Sequence, residues 1–259
     1  MALSSCHPPC SQYIKISVVV IFRKYSCLFL ILVAGISIQR PLLADGSNID
    51  KVYHPYVQPL EKEIEWRALY QRDDDRERDR AQKHRLGYGQ SINDNWFAEI
   101  YLIGEKSRED SFGIDEFELE LLWQITEQGE FAADWGMLFE YERSFDDNIN
   151  EVSATLLTER QWGRWVGTAN LGLVYEWGSD IDNELEAELA LQGRYRYSRA
   201  IEPALELYSS EGGTGVGPVL LGSHRLGGRK QLRWEAGIIY GVDADAADRT
   251  YRLLMELEF

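Results

Sequence analysis

From Glu61 to Phe259, apolar side chains recur at every second position, run after run, and helical spacing is almost absent. A period of two marks a β-strand with one apolar and one polar face. Phe117, Leu119, Leu121, Trp123 and Ile125 form one such set, and Trp135, Met137, Phe139 and Tyr141 belong to the next. Trp165 to Trp177, Leu185 to Tyr197, Leu232 to Val242 and Tyr251 to Phe259 repeat the pattern. The intervening positions are charged or small: Glu116, Glu118 and Glu120, then Asp134 and Glu140, then Glu186, Glu188, Arg194 and Arg196. Weaker sets stand at Leu86 and Tyr88, at Ile201, Leu205 and Leu207, and at Val219 and Leu221. Counted together the sets predict twelve strands, with ten or fourteen left open by the weak ones.

A soluble antiparallel sheet alternates in the same way. Three features point elsewhere. The runs are about 9–12 residues long, the length a tilted strand needs to cross a bilayer, whereas soluble strands are nearer about 5–6. Short polar turns, such as Gly163-Arg164 and Gly227-Gly228-Arg229, alternate with longer acidic connections, such as Asp73 to Lys83, Ser209 to Gly215 and Asp243 to Arg249. Aromatic residues gather near strand ends. Trp96, Trp123, Trp162, Trp165 and Phe259 fall on the short-turn side, and Tyr70, Tyr141, Trp177 and Tyr240 on the loop side, as two interfacial girdles would. The expected fold is therefore all-β: a transmembrane antiparallel meander β-barrel of about twelve strands over residues 59–259, with both termini on the periplasmic side. Closure is what lipid demands, because an open sheet edge leaves backbone groups unsatisfied there.

The chain begins with a segment of different character. Residues 1–44 contain Lys15, Arg23, Lys24 and Arg40 but no Asp or Glu. An apolar run from Cys27 to Ile38 follows Arg23-Lys24, and Leu42-Leu43-Ala44 leads into a polar stretch. That order reads as a secretory signal peptide cut after Ala44. All three cysteines, Cys6, Cys10 and Cys27, lie inside it, so an exported chain has no disulfide framework. Residues 45–58 read as a short periplasmic lead. With 43 acidic against 27 basic residues, a net charge of -16, nucleic acid is excluded as a partner, since phosphate binding needs a basic face.

The last nine residues, Tyr251-Arg252-Leu253-Leu254-Met255-Glu256-Leu257-Glu258-Phe259, resemble the carboxy-terminal strand of Gram-negative outer-membrane proteins, which ends in an aromatic residue preceded by apolar residues at alternate positions. The resemblance implies an outer-membrane location. It also implies that Tyr251, Met255, Leu257 and Phe259 are read by the barrel-assembly machinery.

On this reading the polar face lines a lumen. Its candidate residues are Glu116, Glu118, Glu120, Asp134, Glu140, Glu186 and Glu188, with Arg194, Arg196 and Arg233 near the short-turn end, where they are placed to pair with Glu120, Glu202 or Glu235. Carboxylate rings favour cations, so the expected function is a pore for small polar or cationic solutes. The alternative is a non-conducting barrel that supports the envelope or docks a partner. No catalytic residue, cofactor or metal site is expected. His54, His84 and His224 are scattered, Ser223 and His224 are adjacent and so point to opposite faces of a strand, and the acidic loops lack calcium-loop spacing.

Overall fold

The computed structural model describes residues 49–74, 79–108, 111–145, 148–179 and 181–259; the expected signal peptide lies outside them. Twelve strands follow one another without a helix among the described residues: β1 (Lys62–Arg72), β2 (Gln82–Ser91), β3 (Trp96–Lys106), β4 (Gly113–Gln124), β5 (Asp134–Ser144), β6 (Asn150–Trp162), β7 (Trp165–Trp177), β8 (Glu184–Tyr195), β9 (Glu202–Ser210), β10 (Gly213–Gly227), β11 (Lys230–Gly241) and β12 (Arg249–Glu258). Each pairs antiparallel with its neighbours in sequence. The circle closes between β1 and β12 over ten paired residues, from Glu63 opposite Glu258 to Arg72 opposite Arg249. Every strand has a hydrogen-bonded neighbour on both sides, although the β8–β9 ladder spans only Leu189–Arg194 of β8.

The alternation has the expected consequence. Ile64, Trp66, Ile100, Leu102, Leu119, Leu171, Leu205 and Leu253 stand exposed on the outer face, while Glu65, Arg67, Glu118, Glu120, Glu206 and Arg252 are buried inside the ring. Aromatic pairs mark the two rims: Trp96 stacks on Trp123 at the terminal end, which carries the start of β1 and Phe259, and Tyr175 on Trp177 at the far end. The tight hairpin between β6 and β7 turns at Gly163, whose φ of 61° lies in the left-handed region that a Cβ disfavours.

Three expectations are corrected. The segment Ser209 to Gly215 is not a long connection: pairing continues to Gly213 opposite Ser210, leaving a two-residue turn at Glu211-Gly212. Gly213, at φ 113°, supplies the conformation that allows it. On the terminal side, where the sequence reads as a short polar turn at Glu127-Gln128-Gly129, residues 125–133 between β4 and β5 form a longer connection. And Val219 and Leu221 point inward, at 2% and 5% exposure, while Leu220 between them faces out at 45%. Strand β10 is apolar on both faces, so its period could not tell them apart.

What covers that inward apolar patch is residues 49–58. Expected as a periplasmic lead, they run inside the ring of strands. Ile49 and Val52 pack with Tyr208, Val219, Leu221 and Ile239 as a buried apolar cluster. Other inward apolar residues, Ile103, Leu138, Leu157 and Val166, are each at most 1% exposed, which an open water-filled lumen would not produce.

Candidate functional site

The lumen is built from side chains at alternate positions of twelve strands, so its chemistry is that of the polar face. Cross-strand register places five carboxylates side by side on five consecutive strands: Glu118 opposite Glu142, Glu142 opposite Glu151, Glu151 opposite Glu176, and Glu176 opposite Glu184. A second row joins Glu99, Glu120 and Glu140 on β3, β4 and β5. Glu63 faces Glu258 and Glu65 faces Glu256 where the barrel closes. Like charges directly opposite one another cost stability. These rows run from the terminal end at Glu258 and Glu63, through the middle at Glu118 and Glu120, to the far end at Glu176 and Glu184.

Basic residues answer part of this charge. Lys83 Nζ lies 2.8 Å from Glu116 and 2.9 Å from Glu105. Arg85 is paired with Glu118 and lies 3.6 Å from Glu142. Arg252, wholly buried, donates to Glu206 at 3.0 Å and Glu235 at 2.8 Å. Arg194 pairs with Glu202 at 3.4 Å and Glu159 at 3.7 Å, and Arg233 with Glu256 at 3.4 Å and with Glu258. Of the expected partners, Glu202 is met; Glu235 goes to Arg252, and Glu120 accepts a phenol proton instead. Three carboxylate trios offer oxygens within 4.8 Å of one another, the spacing at which oxygens can share a hard cation: Glu61, Glu63 and Glu256; Glu118, Glu120 and Glu140; Glu184, Glu186 and Glu211.

Among the expected site residues, Glu118, Glu120 and Asp134 are buried in the lumen, and Glu116, Glu140, Glu186, Glu188, Arg194 and Arg196 are half-buried there. Glu140 accepts a hydrogen bond from Ser153, and Arg196 donates to Gln161 at 2.9 Å. Tyr251, Met255 and Phe259 lie on the outer face of the last strand segment, at 38–40% exposure. Glu151, Glu159, Glu184, Lys83 and Arg85 also belong to the lumen network. Alternation alone could have found Glu159 and Arg85, since Thr158 and Leu86 face outward.

Residues 49–58 cross this network from the terminal end to mid-height. Val57 N–H donates to Gln124 Oε1 at 2.7 Å, on the last residue of β4. Tyr56 Oη donates to Asp134 at 2.7 Å and to Glu159 at 3.0 Å, and His54 Nδ1 lies 2.7 Å from Glu159. Asn170 clamps the main chain of Tyr53, accepting from its N–H at 2.8 Å and donating to its carbonyl at 2.9 Å. Tyr53 Oη donates to Glu120 at 2.7 Å. Lys51 Nζ lies 2.8 Å from Glu65, Asp50 pairs with Arg67, and the Asp50 carbonyl accepts from Tyr208 at 3.2 Å and from Arg252. The anchors come from β1, β4, β5, β6, β7, β9 and β12. The wall is also shaped for the segment: a Cβ on Gly136 would stand 2.9 Å from Pro55 Cβ.

A cavity of about 600 Å³ remains at the terminal end, lined by Glu63, Glu99, Arg194, Glu202, Arg233 and Glu256 among others. A second, of about 90 Å³, lies beyond the segment, between Glu140, Asn170, Glu188 and Tyr208. Lys51 and Tyr53 line both.

A closed twelve-stranded meander with an apolar outer face and a polar interior decides the architecture. The fold is that of a Gram-negative outer-membrane β-barrel. Solved structures share it. An outer-membrane channel from Pseudomonas putida F1 superposes with a TM-score of 0.53 at 12% identity, covering 81% of this chain and 98% of that one. A KdgM porin in complex with disordered oligogalacturonate superposes with a TM-score of 0.51 at 10% identity, covering 76% and 98%. At such identities the likeness speaks for the fold alone. No family model and no curated protein matches the sequence.

Proposed function

We propose that this protein is an outer-membrane channel of a Gram-negative envelope, with an acid-rich lumen that favours small cationic or polar solutes. The observation that carries the reading is the cross-strand row Glu118–Glu142–Glu151–Glu176–Glu184 with the trios at three heights. A barrel selected only for stability would separate such charges or pair each with a base. Lined along a wall, they lower the energy of a cation at successive points and raise that of an anion. The outer apolar face with its aromatic rims supports placement in lipid. Tyr251, Met255, Leu257 and Phe259 on the outer side of β12 support its role as the strand recognised during assembly.

A second reading, a non-conducting barrel, draws on one observation: residues 49–58 fill the middle of the lumen. Conductance in a planar bilayer under a salt gradient separates the two. The channel reading expects openings whose reversal potential is cation-selective. Anion-selective openings would refute it, as would a folded barrel that stays silent even with residues 49–58 loosened.

A further inference from the structure

A peptide inside a barrel is either part of its permanent core or a plug that can leave. Three observations separate the cases here. First, the sheet is complete without it. The β1–β12 seam is closed by ten residue pairs, and among the described residues no main-chain to main-chain hydrogen bond joins residues 49–57 to the wall. Second, the segment is held chiefly by polar side chains of the lumen face: Glu120, Gln124, Asp134, Glu159 and Asn170, with Glu65 taking Lys51 and Arg67 taking Asp50. Exchanging a protein hydrogen bond for one to water costs little when water can enter. Its apolar hold is limited to four side chains: Ile49 and Val52 against the cluster at Tyr208, Val219, Leu221 and Ile239, with Pro55 on Gly136 and the buried Val57. Third, it stands across the path. The two cavities lie on either side of it, and Lys51 and Tyr53 face both. Its one ammonium, Lys51, occupies a carboxylate of the lumen, Glu65, at 2.8 Å, so a tethered cation already fills a position on the acidic wall.

We infer that residues 49–58 are a releasable plug: docked, they close the lumen, and their withdrawal from the Asn170 clamp and the Gly136 seat opens it. The inference rests on the channel reading and names how that channel is regulated. It differs from a permanent core in requiring that the segment leave while the barrel stays folded.

The contact between Pro55 and Gly136 supplies the test. Beyond Cys27 the chain has no cysteine, so Pro55→Cys with Gly136→Cys, in a full chain whose Cys6, Cys10 and Cys27 are changed to Ser, introduces one controllable bridge. The Cβ positions, at 2.9 Å, need a shift of about 1 Å to reach disulfide spacing, which a segment held by side chains can make. Folding is checked by heat-modifiable gel mobility, and conductance is recorded before and after reductant. The expected result is a silent oxidised barrel and at least tenfold more open time once reduced. Equal current in both states would overturn the plug while leaving the channel reading intact. Silence in both states passes the decision to Asn170→Ala in the chain with its native Pro55 and Gly136. Openings there support the plug, and continued silence of that folded barrel overturns plug and channel together.

Discussion

Asn170→Ala tests the seat of the lumen segment without any assumption about conduction. The Asn170 side chain makes both main-chain hydrogen bonds of Tyr53, at 2.8 Å and 2.9 Å, and is itself 4% exposed. Alanine offers neither partner. A net contribution of about 1 kcal/mol for each bond makes the docked segment roughly 2 kcal/mol less stable relative to its undocked form. At about 1.4 kcal/mol per factor of ten, that is close to a thirtyfold rise in the undocked fraction. Hydrogen exchange of the refolded protein reads this directly. Protection of the Tyr53 amide falls by about that factor, and that of Val57 falls with it because both amides leave the wall together. The amides of β6, β7 and β8 around this position keep their protection, since the substitution leaves the β7 backbone in its ladder, opposite Leu157 and Ala190. Asn170→Asp serves as a control: a carboxylate still accepts from Tyr53 N–H but cannot donate to its carbonyl, so protection falls less. Unchanged protection at Tyr53 in the alanine variant would show that the clamp does not hold the segment. Loss spread evenly over the neighbouring strands would show that segment and wall are a single cooperative unit, contrary to the separability argued from the closed seam.

Arg252→Ala leaves Glu206 and Glu235 buried without their shared partner and should destabilise the barrel by about 3–5 kcal/mol, measured as the urea midpoint of unfolding in detergent; a change below about 1 kcal/mol would show that water reaches the pair freely. Replacing Glu116, Glu118 and Glu120 together by Gln should move the reversal potential of open channels toward zero, and an unchanged potential would place the selectivity elsewhere on the wall. Phe259→Ala, at 40% exposure on the outer face, should lower the yield of barrel assembled in cells while leaving the refolded protein's unfolding midpoint nearly unchanged; equal yields would remove Phe259 from the assembly signal.

How much of this was legible in the chain depends on what the period-two pattern encodes. It encodes face and length, and these suffice for a closed transmembrane meander. Register is pinned wherever one face meets lipid, because a one-residue slip would turn every apolar side chain inward. The sets at Phe117, Trp165 and Tyr251 therefore map directly onto β4, β7 and β12. The pattern fails where both faces are apolar, as at Val219 to Leu221, and where a turn is built by glycine rather than announced by a long polar stretch, as at Glu211-Gly212. It also carries no information about what the polar face meets. Glu120, Asp134 and Asn170 read equally well as lining water or as holding a peptide. The discriminating signal lay in exceptions to polarity: Ile103, Leu138, Leu157 and Ile239 are apolar at positions that alternation assigns to the lumen. In a barrel filled with water each would cost free energy for no return. Taken together with a ten-residue lead carrying Ile49, Val52 and Val57, they imply that something apolar enters, and the piece of chain nearest at hand is the one that precedes β1. A lumen that combines rows of only partly compensated carboxylates with an apolar seat for its own leading segment is suited to two states. With the segment docked, Lys51 serves one carboxylate and the apolar seat is covered. With it withdrawn, water and cations must serve both.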